Sequence, residues 1–197
     1  MSSLTILGLL PLLGSAALFL LPKDRELLAK QVALGVSILV AISGLLMSTS
    51  FVRGQSTLQF VEKYSWIPAF GINYGLGVDG MALLLILLAL ILTPIVMLAC
   101  WHEADGGRWS VKTFFALLLI LETMMIGVFA ATDIFLFYLF FEAMLIPVYF
   151  LIGGYGSGER AAAAVKFLLY SLFGGLLMLA SIIGLYVVSA DQLGEIG

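Results

Sequence analysis

The sequence has one cysteine, Cys100, and one histidine, His102. A lone cysteine makes no internal disulfide and cannot hold an iron–sulfur cluster, which takes about four thiolates. A lone histidine excludes bis-histidine haem ligation and a multi-histidine metal site. Charge is scarce too. Only 11% of the 197 residues are charged, with 9 Lys and Arg against 12 Asp and Glu, a formal net charge of −3. A soluble domain carries about a quarter charged residues, and nucleic-acid binding calls for a basic patch; the composition argues against both. Any redox chemistry that this chain serves runs through another chain.

Hydrocarbon fills the space that charge leaves. Hydrophobic residues make up 62% of the sequence, and the mean hydropathy is +1.17. Six apolar runs stand out: 4–21, 32–47, 81–100, 113–131, 134–153 and about 162–189. Each approaches or exceeds the roughly 20 residues that cross a bilayer as a helix. The pattern predicts an all-α, polytopic membrane protein, with residues 1–197 forming a single transmembrane domain in the lipid bilayer. The longest connection is 48–80, and there is no internal repeat. The first run is read as a retained helix rather than a signal peptide, because its positive charges, Lys23 and Arg25, follow it.

The basic residues predict an orientation. Connections one–two, three–four and five–six carry Lys23, Arg25, Lys30, Arg108, Lys112 and Arg160; the opposite side carries Arg53 and Lys63. Six against two puts the former in the cytoplasm and the N-terminus outside; the membrane is expected to be a cell inner (plasma) membrane, which makes that the periplasmic face. Trp66, Trp101 and Trp109 lie in connections, which suits interfacial anchors and equally a plain loop role.

Ionisable side chains inside a bilayer are costly and mark pathways or interhelical bonds. Three qualify: Glu122, Glu142 and Lys166. Asp79 and Asp133 read instead as helix-start residues. The short turn Ala131-Thr132-Asp133 makes spans four and five an antiparallel hairpin. Glu122 lies ten positions before Thr132 and Glu142 ten after it, so both carboxyls sit about 15 Å below the turn. If both face inward they lie level on neighbouring helices, where two carboxylates would not both ionise easily. A carboxyl that takes and releases a proton under mild bias is what a relay needs. Lys166, near the start of span six, is expected about 6 Å in depth from Glu142. Pro147 withholds an N–H from the Ala143 carbonyl, which frees a polar group beside Glu142. The alternative for each of the three is a structural role: hydrogen bonding between helices for the glutamates, and snorkelling to water for Lys166. The run 153–158 is glycine-rich but follows an apolar helix and lacks a P-loop lysine, so it is not read as a nucleotide site.

Three stretches are familiar. They are Asn73-Tyr74-Gly75-Leu76-Gly77-Val78-Asp79-Gly80-Met81; the hairpin from Glu122 through Thr132-Asp133-Ile134-Phe135-Leu136-Phe137-Tyr138 to Phe141-Glu142-Ala143-Met144-Leu145-Ile146-Pro147; and Ala164-Val165-Lys166-Phe167. Together they resemble the antiporter-like subunit M, or subunit 4, of proton-pumping NADH:quinone oxidoreductase, respiratory complex I. The resemblance runs over essentially the whole chain, and the segment 132–153 is its most specific part. It implies a subunit of a proton-translocating enzyme, partnered by other membrane-arm subunits and lacking a redox centre of its own. NADH, FMN, iron–sulfur clusters and quinone are then expected in other subunits, with none in this chain. It also implies that Glu142 is a central proton-translocating carboxylate, which in the family pairs with a lysine on a later, broken helix. Lys166 is not that lysine, and the family continues well beyond six helices. The chain is therefore expected to be an N-terminal portion of a longer subunit, or a split one. Two rivals remain: a subunit of a cation/proton antiporter or membrane-bound hydrogenase of the same superfamily, and a purely structural membrane subunit.

Overall fold

A computed structural model describes residues 3–22, 25–55, 57–105 and 109–193, the last five by backbone alone. The helices are α1 (Ser3–Leu20), α2 (Glu26–Thr49), α3 (Gly80–Ala99), α4 (Val111–Ala130), α5 (Ile134–Tyr155) and α6 (Arg160–Leu193). All six are long and apolar enough to cross a membrane, and the chain is a multi-pass membrane protein. Helix α2 begins well before the expected residue 32, so Lys30 belongs to a helix and not to a connection. Lys23 and Arg108 of the charge argument lie outside the described residues.

The all-α expectation fails in the connection 48–80. Two antiparallel strands, β1 (Gln59–Ile67) and β2 (Ile72–Val78), form a hairpin there. The local cause is visible in hindsight. The run Gln59-Phe60-Val61-Glu62-Lys63-Tyr64-Ser65-Trp66-Ile67 mixes β-branched and aromatic residues with polar ones, as a half-exposed strand does. Pro68 opens a short 3₁₀ turn, and Gly71 closes it at φ 65° with its N–H donating to the Pro68 carbonyl. Glycine reaches that left-handed region at no steric cost.

The hairpin lies at the end of the bundle that holds the start of α1 and the α4–α5 turn, called here the hairpin end. Two carboxylates fasten it. Glu62, only 6% exposed, follows a bulge at which Phe60 takes φ 53°. Its carboxylate accepts from the Leu4 and Thr5 amides and the Thr5 hydroxyl, and so caps α1 from a distant strand. The Thr5 hydroxyl also lies 3.0 Å from the Tyr74 hydroxyl. Asp133 accepts from the Phe135 and Leu136 amides, which makes it the N-cap of α5, and from the Asn73 amide of β2 at 2.9 Å. The Thr132 amide adds a bond to the Gly75 carbonyl. Gly75 leaves room for this contact: a Cβ there would sit 2.6 Å from the Thr132 hydroxyl. Asp79 caps α3 through the Ala82 amide, as its position predicted.

At the opposite, far end, the Lys112 ammonium donates to the Phe19 and Leu21 carbonyls and so closes α1. Trp109 covers Gly154 and packs on Phe150 and Tyr155, while Trp101 packs on Phe115. Helix α4 is the most enclosed element, flanked by α1, α2, α3 and α5, whereas α6 touches chiefly α5 and exposes most of its surface.

Asp133→Ala is expected to remove about 1 kcal/mol of helix capping and to free both β2 and the first turn of α5. Hydrogen exchange on the solubilised protein should show both segments opening faster. Asp133→Asn, whose amide oxygen still accepts, should stay near wild type. Unchanged exchange in β2 with Asp133→Ala would show that the hairpin is held by other contacts.

Candidate functional site

The three-residue turn places Glu122 of α4 and Glu142 of α5 at matching depth, as the residue count predicts. Their directions diverge. Gly127 of α4 faces the Phe140 ring of α5, which fixes the mutual faces of these two helices. At about 100° per residue, Glu142 stands about 200° round α5 from Phe140, and Glu122 stands about 140° round α4 from Gly127. Ile126, which shares the face of Glu122, lies against Gly8 of α1. Glu122 therefore looks into the α1–α4 bundle and Glu142 looks towards α6. They do not form a carboxylate pair.

Glu122 is fully buried, and neither of its oxygens has a hydrogen-bond partner among the described residues. It occupies a polar layer between two apolar clusters. Towards the hairpin end lie Leu7, Val40, Leu90 and Ile126; towards the far end lie Leu18, Ala33, Met97 and Leu119. Between each pair the same helix carries a buried polar residue: Ser15 on α1, Ser37 on α2, Thr93 on α3, and Glu122 with Thr123 on α4. The two threonine hydroxyls donate to carbonyls one turn back, Ala89 and Leu119. The Ser37 hydroxyl, like Glu122, has no partner among the described residues. Apolar residues flank this polar layer on both sides within the packed interior of α1–α4. Sequence reasoning found Glu122 and passed over Ser15, Ser37 and Thr93. Each is a small residue inside a long apolar run, and their shared depth emerges only when four helices are set side by side.

Glu142 is half-buried, and its Oε1 is enclosed without a hydrogen-bond partner. Its carboxyl lies on α6 at Gly175, where a methyl group would overlap it. The α5–α6 register explains the pairing. Gly153 lies beside Ala164; counting back eleven residues on α5 reaches Glu142, and forward eleven on α6 reaches Gly175.

The same register corrects the expected place of Lys166. It precedes Gly175 by nine residues, about 14 Å along the axis and about 180° round the helix. Lys166 is exposed and faces away from Glu142. The expected offset of about 6 Å had measured each helix from its own end, whereas the turn at 156–159 sets the two helices out of step by several residues.

The ionic contacts among the described residues lie at the far end. Lys30, 5% exposed, sits 2.5 Å from the Asp105 carboxylate and 5.7 Å from the centre of the Trp101 ring. His102 is largely exposed and contacts the other Asp105 oxygen at 2.7 Å. The Lys30 ammonium, and then His102, hold the Asp105 carboxyl below the usual carboxylate range. This cluster ties the α3–α4 connection to α2. Among the described residues there is no group of three or more His, Cys, Asp or Glu suited to a metal ion.

Residues 131–194 match the family described as NADH:quinone oxidoreductase/Mrp antiporter, TM. The chain is 45% identical to NADH-quinone oxidoreductase subunit M of Mycobacterium tuberculosis, an alignment covering 95% of this chain and 39% of that protein. Among solved structures it resembles a chain of respiratory complex I from Thermus thermophilus with bound NADH. The TM-score there is 0.78, with 28% identity over 95% of this chain and 36% of that one. The Mrp complex from Dietzia sp. DQ12-45-1b shares the fold, with a TM-score of 0.76 at 18% identity over 97% of this chain and 20% of that one. The chain thus spans about two fifths of the length of the curated relatives it matches.

Because Glu122 and Glu142 face apart, their stability effects should be independent. The melting shifts of Glu122→Gln and Glu142→Gln are expected to add in the double variant within about 0.5 kcal/mol. A larger coupling would mean that the two carboxyls share a proton or a hydrogen-bond network after all.

Proposed function

The chain belongs to the NADH-quinone oxidoreductase subunit M/chain 4 family, and on that premise we propose that it serves as a membrane-arm subunit translocating protons for such an enzyme. Electron transfer runs in other subunits, which carry NADH, FMN, iron–sulfur clusters and quinone, and this chain supplies none of those groups. Its partners are the other membrane-arm subunits and the surrounding lipid of a bacterial inner membrane.

The observation that supports this reading best is the setting of Glu142. It is a carboxyl at mid-helix, enclosed on one oxygen, on the hairpin where family matching and sequence resemblance coincide. In low dielectric such a group exchanges charge for a proton readily and so can hold and release one as nearby charges move. Glu122 is the second carboxyl of the proposal, holding a proton in the α1–α4 layer rather than beside Glu142. Lys166 enters only through a group beyond α6, because its side chain faces away from α5 and Glu142. The Mrp likeness is one of fold alone and does not favour the antiporter reading.

Proton pumping by the assembled complex in membrane vesicles tests the proposal, with wild type and Glu142→Gln compared at matched complex content. Lost pumping in an intact complex is the expected result. Unchanged pumping would leave the purely structural reading in its place.

The proposed orientation puts the hairpin end outside and the far end, with Arg25, Lys30, Lys112 and Arg160, in the cytoplasm. In a background with Cys100→Ser, a membrane-impermeant maleimide added to intact cells should label Gln55→Cys and spare Glu159→Cys. The inverse pattern would reverse the topology.

A further inference from the structure

The pairing of Glu142 with Gly175 asks for an explanation that helix formation does not provide. Glycine in a helix interior is a poor helix former. Gly175 is also not among the glycines with positive φ, which are Gly54, Gly71 and Gly158. Alanine would therefore fit its backbone better. What alanine would meet is the Glu142 carboxyl, which would have to turn aside. A Cβ built on Gly175 overlaps Glu142 Oε1 and lies 2.6 Å from Cδ and 3.1 Å from Oε2. Its neighbour Gly174, and Gly184 further along the same helix, have nothing within 4 Å of such a Cβ. Among these three glycines of α6, the demand for a bare backbone falls on one position, the one level with Glu142.

We propose that Gly175 is a positioning residue for Glu142: its missing side chain is the slot that receives the carboxyl and fixes where that carboxyl can meet a proton donor or acceptor. This inference rests on the proposed role of Glu142. Gly175 touches no proton itself. It acts by letting the carboxyl lie flat against the α6 backbone, so that Oε1 is enclosed while the rest of the group stays accessible at the α5–α6 edge. A methyl group at 175 would drive the carboxyl off α6 by rotation about the Glu142 side-chain bonds, and the proton site would move with it.

The test uses the complete subunit in the assembled complex, with pumping per NADH oxidised measured in vesicles alongside complex content. Gly175→Ala should lose pumping to nearly the extent of Glu142→Gln, whereas Gly174→Ala, in open space, should pump as wild type. Shortening the carboxyl should relieve the overlap, so that Glu142→Asp combined with Gly175→Ala pumps better than Gly175→Ala alone. If Gly175→Ala also lowers complex content, the same double variant should restore it. Normal pumping by Gly175→Ala, an equal loss in Gly174→Ala, or no rescue by the shortened acid would each overturn the proposal. Should Glu142→Gln itself pump normally, the functional reading fails first, and that outcome is separate from one in which only the glycine variants behave unexpectedly.

Discussion

The Asp133 carboxylate joins two parts of the fold that the membrane would otherwise leave independent. It caps α5, and in the same geometry it takes the Asn73 amide of the hairpin. The helix start is thereby fixed at Ile134, the α4–α5 turn is held to three residues, and Glu122 and Glu142 are set at equal depth. A longer or looser turn would let α5 slide against α4, and the Gly127–Phe140 contact that sets their mutual faces would be lost. Glu62 does the corresponding work at α1. The extramembrane hairpin is thus a brace that determines where buried carboxyls lie.

That geometry separates two environments. Glu122 is enclosed by four helices in a layer of serine and threonine, with apolar residues above and below. Glu142 stands at the boundary of the described bundle, against a helix whose remaining surface is exposed and apolar. Glu122 is thus set apart from α6, whereas the Glu142 carboxyl lies at the α5–α6 boundary. On the proposed relay reading, the two glutamates are two stations rather than one shared site.

Much of this was legible in the sequence. The six apolar runs gave the helices, with ends displaced by a few residues where amphipathic first turns such as Glu26–Lys30 lie outside the hydrophobic stretch. Asp79 and Asp133 announced their caps because a carboxylate ahead of an apolar run has few other uses. The β-hairpin went unread because its strands are short and its alternation is weak beside the hydrophobic runs on either side. The depth of Glu122 and Glu142 followed from counting residues from the turn. Their directions did not, since a helix buried on most sides, like α4, offers no polar face to orient it. Lys166 was misplaced for a related reason: the register of α5 on α6 is set by Gly153 against Ala164, a packing contact with no sequence signature. Gly175 was invisible for the same cause, because a glycine that makes room for a group thirty-three residues away resembles any other glycine in a membrane helix.

The central claim is that the Glu142 carboxyl gains and loses a proton during turnover. Infrared difference spectroscopy of the assembled complex, with and without NADH-driven turnover, observes that event directly through the carboxylic-acid C=O stretch. The account predicts a turnover-dependent carboxyl band that shifts in D₂O and is missing in Glu142→Gln, with the Glu122 contribution left in place. A wild-type difference spectrum in which every carboxyl band survives the Glu142→Gln substitution would contradict it.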